Sequence, residues 1–198
     1  MELFWHGKHA FTVVSDGVTC ALNPLKGTGI PKASFAVTTE DDQTMYDPKV
    51  LEQASYTVNW PGEYEVQGHL IVGVELPDVM DGAIHTMMAV TTIDHVSIAH
   101  LGSLTLVPES KLLEKLGTID VLVLPLNPAL KLESYLSIID TISPNIVVPV
   151  TDDASSELMT QFLKHFGASQ LEAQKSLKMS HPETTPDTPD IVLLLPKN

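Results

Sequence analysis

The chain of 198 residues has one cysteine, and that scarcity removes several possibilities. Cys20 cannot form an intramolecular disulfide, and within Val18-Thr-Cys-Ala-Leu22 it reads as a small buried hydrophobe rather than a nucleophile. Positive charge is equally scarce: eleven basic residues stand against twenty-five acidic ones, for a formal charge of −14. A field of that sign repels nucleic acid and anionic membranes, and otherwise serves solubility. No apolar run approaches the roughly 18 residues of a membrane span. The segment Met1-Glu-Leu-Phe-Trp-His6 has neither the basic start nor the apolar middle of a signal peptide, so a cytoplasmic soluble protein is expected. No Gly-x-Ser-x-Gly elbow or Walker-type loop occurs, and Gly27-Thr-Gly29 is too short for a nucleotide fingerprint. The eight histidines form no His-x-His and no His-x-x-x-His pair.

What is present suits a globular fold. A hydrophobic fraction of 43% with 18% charge supports a buried core, and the length fits a single domain over 1–198. Short strands are expected over 3–6, 11–15, 18–23 and 32–38, with Asp16-Gly17 as a hairpin turn. A helix over 48–54 follows, then strands over 56–59, 63–67 and 69–76, with Gly68 at a hairpin tip. Residues 85–93 and 96–101 form a hairpin around Asp94-His95. From Pro108 the pattern changes to helix 109–116, strand 121–126, helix 130–142, strand 145–150 and helix 154–166 ended by Gly167, with a last strand over 191–195. Hairpins in the first half and β-α alternation in the second predict two sheets covered by outer helices. That is an α/β fold, specifically a four-layer α/β/β/α sandwich with parallel pairing in its second half. Met87-Met88, Met45, Trp5 and Trp60 read as core or turn packing.

The chemistry-bearing stretch is 35–48. Its apolar run Phe35-Ala-Val-Thr38 stops in a turn carrying Glu40, Asp41 and Asp42, before Asp47-Pro48 opens a helix. With Asp152 and Asp153 from a later strand end, Glu40, Asp41, Asp42 and Asp47 could offer oxygen ligands to Mg²⁺ or Ca²⁺. The competing reading makes them solvated loop acids, with Asp47 and Asp152 or Asp153 as helix caps.

Several ordered patterns resemble the metallo-β-lactamase fold superfamily, in particular its short bacterial Zn-dependent hydrolase-like branch. Leu3-Phe-Trp-His-Gly-Lys-His-Ala-Phe11 is similar to that branch's first strand, although Lys8 takes a usual histidine position. Asn23-Pro24 sits where the family commonly has Asp-Pro. Trp60-Pro-Gly-Glu-Tyr-Glu-Val-Gln-Gly68 resembles its Gly-Pro-Gly-Glu-Tyr-Glu turn, and Ile98-Ala-His-Leu-Gly-Ser-Leu104 its His-Leu-Gly-Asp-Leu segment. The strands Ile119–Leu126 and Pro144–Val150 and the region from Lys175 onward fit its second half.

The resemblance implies a zinc site built on a His-x-His-x-Asp-His motif, and here that motif is absent. An ungapped match places Glu40, Asp42, Thr44 and Met45 at its four ligand positions, and a shift by one gives Thr39, Asp41, Gln43 and Thr44. Ser103 replaces a metal-bridging Asp, Thr151 stands at the last His, and His85 is the one candidate loop histidine. Thr39, Glu40, Asp41, Asp42, Thr44, Met45, Ser103 and Thr151 are therefore expected to outline a vestigial cleft with no catalytic residue and no zinc. The resulting expectation is a pseudoenzyme with a structural, binding or regulatory role, through an unidentified protein partner or self-association. The alternatives are a metal-dependent hydrolase of phosphoesters or similar small substrates using the acidic turn, and a metal-free small-molecule binding module.

Overall fold

The computed structural model describes residues 1–76, 86–151, 156–180 and 188–197. The first sheet is built from β1 (Glu2–Trp5), β2 (Phe11–Ser15), β3 (Val18–Leu22), β4 (Phe35–Val37), β5 (Thr57–Val58) and β12 (Leu177–Lys178), in the order β12-β1-β2-β3-β4-β5. The second contains β6 (Gly62–Val66), β7 (His69–Leu76), β8 (Thr86–Ile93), β9 (Val96–His100), β10 (Val121–Pro125), β11 (Ile146–Val150) and β13 (Asp190–Ile191), in the order β13-β11-β10-β9-β8-β7-β6. Hairpin neighbours pair antiparallel, whereas β9, β10, β11 and β13 run parallel. The turns follow their chemistry: Asp16-Gly17, Gln67-Gly68 and Asp94-His95 all have positive φ, as tight two-residue hairpins require.

Four layers follow from which faces are apolar. Leu3, Phe11, Val13, Phe35 and Val37 of the first sheet meet Ile71, Ile98, Val121, Val123 and Val148 of the second in the central core. Val121 and Val123 face inward while Leu122 and Leu124 face outward, so β10 is buried on both sides. The outward residues lie under α2 (Ser110–Glu114), α3 (Leu132–Ile142) and α4 (Glu157–His165). In α3, Tyr135, Ile138, Ile139 and Ile142 recur at helical spacing and form the buried stripe. On the other side α1 (Pro48–Gln53) covers Ala21 and Ala36, whose small side chains let it sit close to the sheet. Asp47 caps α1, its carboxylate accepting the Lys49 amide at 3.0 Å. Cys20, Met87 and Met88 are buried in these cores, while Trp60 is 53% exposed, a turn residue rather than a core one.

Some boundaries differ from expectation. The strand expected over 32–38 is regular only over Phe35–Val37, although the Ser34 amide still donates to Thr19 and the Thr38 amide to Val58, and Lys32 is solvent-facing. The strand expected over 191–195 leaves the second sheet early. The Val192 amide still donates to Val147, but the Leu193 carbonyl and Leu195 amide pair with Gln174 instead. The helix over 154–166 begins at Glu157, capped by Ser156, and Ala154, Asp152, Asp153 and His85 lie outside the described residues. A short 3₁₀ turn at Gln43–Met45, which the sequence did not suggest, occupies the acidic loop.

Candidate functional site

The acidic turn sits where the two sheets are stitched together. After β4, the Thr39 carbonyl accepts the Met87 amide at 2.8 Å, and Glu40 bridges to Thr86 at the start of β8. A buried side-chain network fixes this crossing. Asn23 accepts the Thr39 amide through Oδ1 and donates from Nδ2 to Thr39 Oγ1, both at 2.8 Å. The Tyr46 hydroxyl accepts the Glu40 amide at 3.0 Å, and burial pushes its pKa up. Asn23 holds φ at +48°, a left-handed conformation that asparagine tolerates better than most residues. Gly102, at φ +66°, passes so close that a Cβ there would lie 3.1 Å from Thr39 Oγ1 and 3.2 Å from the Met87 carbonyl oxygen.

The 3₁₀ turn disperses most of the residues expected to converge. Asp42 caps it, accepting the Thr44 hydroxyl at 2.6 Å and the Thr44 amide at 2.9 Å, and these bonds hold its carboxyl below the usual range. Thr44 is exposed, and Met45 packs against the cluster containing Tyr46 and Val50. Asp41 lies on a narrow crevice with Trp60 and Pro61, and Thr39 is buried behind the loop. Neither sequence register survives: of Glu40, Asp42, Thr44 and Met45, Glu40 alone reaches residues of the cleft. In the shifted set, Gln43 is exposed.

The cleft itself, 290 Å³ in volume, opens at the carboxyl ends of the parallel strands, where open α/β sheets place their sites. Lys8 and His9 enter from the β1–β2 turn, Ser103 follows β9, Asn127 and Pro128 follow β10, and Thr151 follows β11. His9 Nε2 stands 3.7 Å from Glu40 Oε1. Burial raises the Glu40 carboxyl pKa, a hydrogen bond with Ser103 partly opposes the rise, and the nearby Asp42 charge adds to it. Ser103 and Thr151 line the cleft, and Glu40 touches Ser103 and His9 from behind. Lys8 and His9 also line the cleft, outside the residues expected to outline it; the one signal in the sequence is that Lys8 stands where the resembling first strand has histidine.

His100 accounts for the remaining imidazole near the site. Its Nδ1 accepts the Gly102 amide at 3.0 Å, so Nε2 carries the proton and donates to the His9 carbonyl at 2.8 Å. Burial, aided by His9, drives its pKa down to about 3. Both ring nitrogens are thus spent on holding the β1–β2 turn and the 101–103 loop together.

The donor set does not fit a catalytic zinc centre. Among the described residues no group of three or more His, Cys, Asp or Glu is arranged to hold a metal ion. Glu40 and His9 meet, with hydroxyls rather than a carboxylate or imidazole at Ser103 and Thr151, whereas catalytic zinc takes three protein ligands. The Mg²⁺ or Ca²⁺ alternative also loses its first cluster, because Asp42 and Asp47 turn away as caps.

Two face-to-face sheets flanked by α1 on one side and α2–α4 on the other define the metallo-β-lactamase class of sandwich. Residues 2–151 match the family model for the beta-lactamase superfamily domain, and the chain belongs to that family. A protein of Thermotoga maritima described as a candidate Zn-dependent hydrolase of the metallo-β-lactamase superfamily superposes with a TM-score of 0.74 at 21% identity, over 98% of this chain and 97% of its own. A metallo hydrolase from the hyperthermophilic archaeon Ignicoccus hospitalis matches with a TM-score of 0.66 at 16% identity, over 90% and 99% of the two chains. A candidate metal-dependent hydrolase from Parabacteroides distasonis gives 0.66 at 14% identity, over 87% and 90%. At these identities the likeness is one of fold. No curated protein matches the chain in sequence. Among the described residues no helix is long and apolar enough to cross a membrane.

Proposed function

We propose that this chain is a non-catalytic member of its superfamily, a pseudoenzyme whose cleft serves as a metal-free pocket for a small polar molecule. The observation that supports the reading is that Glu40 and His9 meet beside the hydroxyls of Ser103 and Thr151, with no metal-holding group of three or more His, Cys, Asp or Glu among the described residues and His100 consumed in structural hydrogen bonds. Fold stability rests on the sheets and helices, so a site can lose its chemistry while the fold persists. Lys8, Ser103, Asn127 and Thr151 line a volume suited to a ligand of a few polar groups. A phosphoester substrate is disfavoured, because the chain contains no arginine and, among the described residues, Lys8 is the one lysine lining the cleft. The acidic charge and the single buried cysteine support a cytoplasmic setting.

Elemental analysis of the purified protein, combined with phosphodiesterase and lactamase substrate screens, tests this directly. The expected result is substoichiometric zinc and no turnover above the Glu40→Gln variant. Stoichiometric metal with turnover that Glu40→Gln abolishes would establish a metal-dependent hydrolase instead.

A further inference from the structure

The second sheet ends at β6, and among the described residues no strand pairs with its outer edge. Alternate residues of an edge strand turn N–H and C=O groups outward, which makes such an edge a template for another extended chain. An open groove of 470 Å³ runs along this edge, lined by Ser55, Tyr56, Tyr64, Val66 and the neighbouring Glu63 and Glu65. The strand alternates cleanly: Tyr64 packs against the central core and Val66 is buried in it, while Glu63 and Glu65 are exposed on the other face. Tyr56 is 49% exposed, and its ring lies 6.2 Å from that of Tyr64.

The charge pattern selects among occupants. A second copy of this chain pairing antiparallel about Tyr64 would set Glu63 opposite the partner's Glu65 twice, on one face, between two molecules each carrying −14. Like charges directly opposite on paired strands repel. An extended segment with lysine or arginine at positions i and i+2 meets the same two carboxylates with opposite sign, while the residue between them, apolar in the segment, faces the side of the Tyr56 and Tyr64 rings. We propose that the β6 edge is a docking site for a basic, extended peptide segment of a partner protein, added as a further strand of the second sheet. It is independent of the cleft and of whether the cleft binds anything.

The test uses the full chain and a fluorescently labelled, end-blocked heptapeptide Thr-Lys-Val-Lys-Val-Lys-Thr, followed by anisotropy. Saturable binding is expected, and it should vanish when the lysines are replaced by glutamates or when alternate backbone amides are N-methylated. Glu63→Lys with Glu65→Lys should weaken binding about tenfold or more, since two favourable cross-strand pairs become two repulsive ones. Both side chains are exposed, so an unchanged thermal midpoint and far-UV spectrum confirm that the variant folds. Glu133→Lys with Glu157→Lys, which makes the same charge change on α3 and α4, should leave the affinity unaltered. Equal weakening by both double variants would reveal nonspecific attraction to an acidic protein and overturn the proposal, as would no binding. A dimer of the unmodified chain that Glu63→Lys with Glu65→Lys disrupts would overturn it in favour of a second copy.

Discussion

His100 Nε2 donates to the carbonyl oxygen of His9 at 2.8 Å, tying the end of β9 in one sheet to the β1–β2 turn of the other. The same ring receives the Gly102 amide, so one neutral imidazole positions both walls of the cleft. Replacing it leaves a buried amide and a carbonyl without their partner, as well as a cavity. His100→Ala should therefore destabilise the protein by about 3 kcal/mol, read as a shift of the urea midpoint at unchanged m-value.

The same residue sets an acid limit. Burial pushes His100 down to about 3 in the folded chain, and burial with the Lys197 charge pushes His6 down to about 4, against 6.5 for a free imidazole. Between those values the unfolded chain binds protons that the folded one refuses, so stability rises with pH there. The contribution is complete above pH 6.5 and declines as pH falls through the window toward 4 and 3. Urea midpoints measured from pH 7 to pH 4 should fall steadily, and the decline should be shallower in His100→Gln, which does not titrate.

Glu40 has the opposite sign. Burial raises its carboxyl pKa above 4.5, so the folded state holds a proton more tightly than the unfolded one, and ionisation at neutral pH costs stability. Glu40→Gln keeps the shape and a hydrogen-bonding partner for Ser103 but carries no charge. Its thermal midpoint should exceed that of the parent at pH 7, and the difference should disappear below pH 4.5. A higher midpoint with unchanged ligand binding would mark Glu40 as a relic of chemistry rather than a working group.

Gly102→Ala tests the close crossing of the acidic turn and the loop after β9. Alanine at φ +66° is disfavoured by about 1 kcal/mol, and its Cβ must also push against Thr39 Oγ1 at 3.1 Å and a backbone oxygen at 3.2 Å. A total loss of about 2 kcal/mol or more is expected, measured by denaturant titration. Gly17→Ala is the control: its φ is also positive, but an added Cβ meets nothing within 4 Å, so the loss should be smaller.

Local pattern made the framework legible. β2 and β7 begin and end where alternation and turn residues placed them, and Asp47-Pro48 opened α1 by cap chemistry that acts over a few residues. The site was legible only in outline. Ser103 and Thr151 could be named because the resembling segments Leu101-Gly-Ser103 and Pro149-Val-Thr151 carry them just after β9 and β11. The approach of His9 to Glu40 joins residues thirty-one positions apart through the packing of two sheets, and the His100 contact spans ninety-one, distances over which no local pattern carries information. The turn from Gln43 to Met45 failed for another reason. Asp42 bonds to Thr44 two residues on, and that local bond rotates Thr44 and Met45 out of the register a strand-to-helix loop suggested.

Zinc supplies the last prediction. A ligand that binds only the folded state stabilises it by RT ln(1 + [L]/Kd), about 2.7 kcal/mol at a hundredfold excess over Kd, which moves the melting temperature of a domain this size by several degrees. A site with Glu40 and His9 alone among its described carboxylates and imidazoles holds zinc weakly, because two ligands leave most of the ion's hydration unreplaced. Titration with Zn²⁺ to about 100 μM should therefore leave the thermal midpoint unchanged, and prolonged dialysis against a chelator should leave it equally unchanged. The cleft geometry makes a converse expectation. Ser103→Asp with Thr151→His adds a carboxylate and an imidazole to the rim that His9 already occupies, and the doubly substituted protein should show a zinc-dependent rise in melting temperature that the parent lacks. A rise in the parent instead would mean that its own residues already assemble a competent metal site.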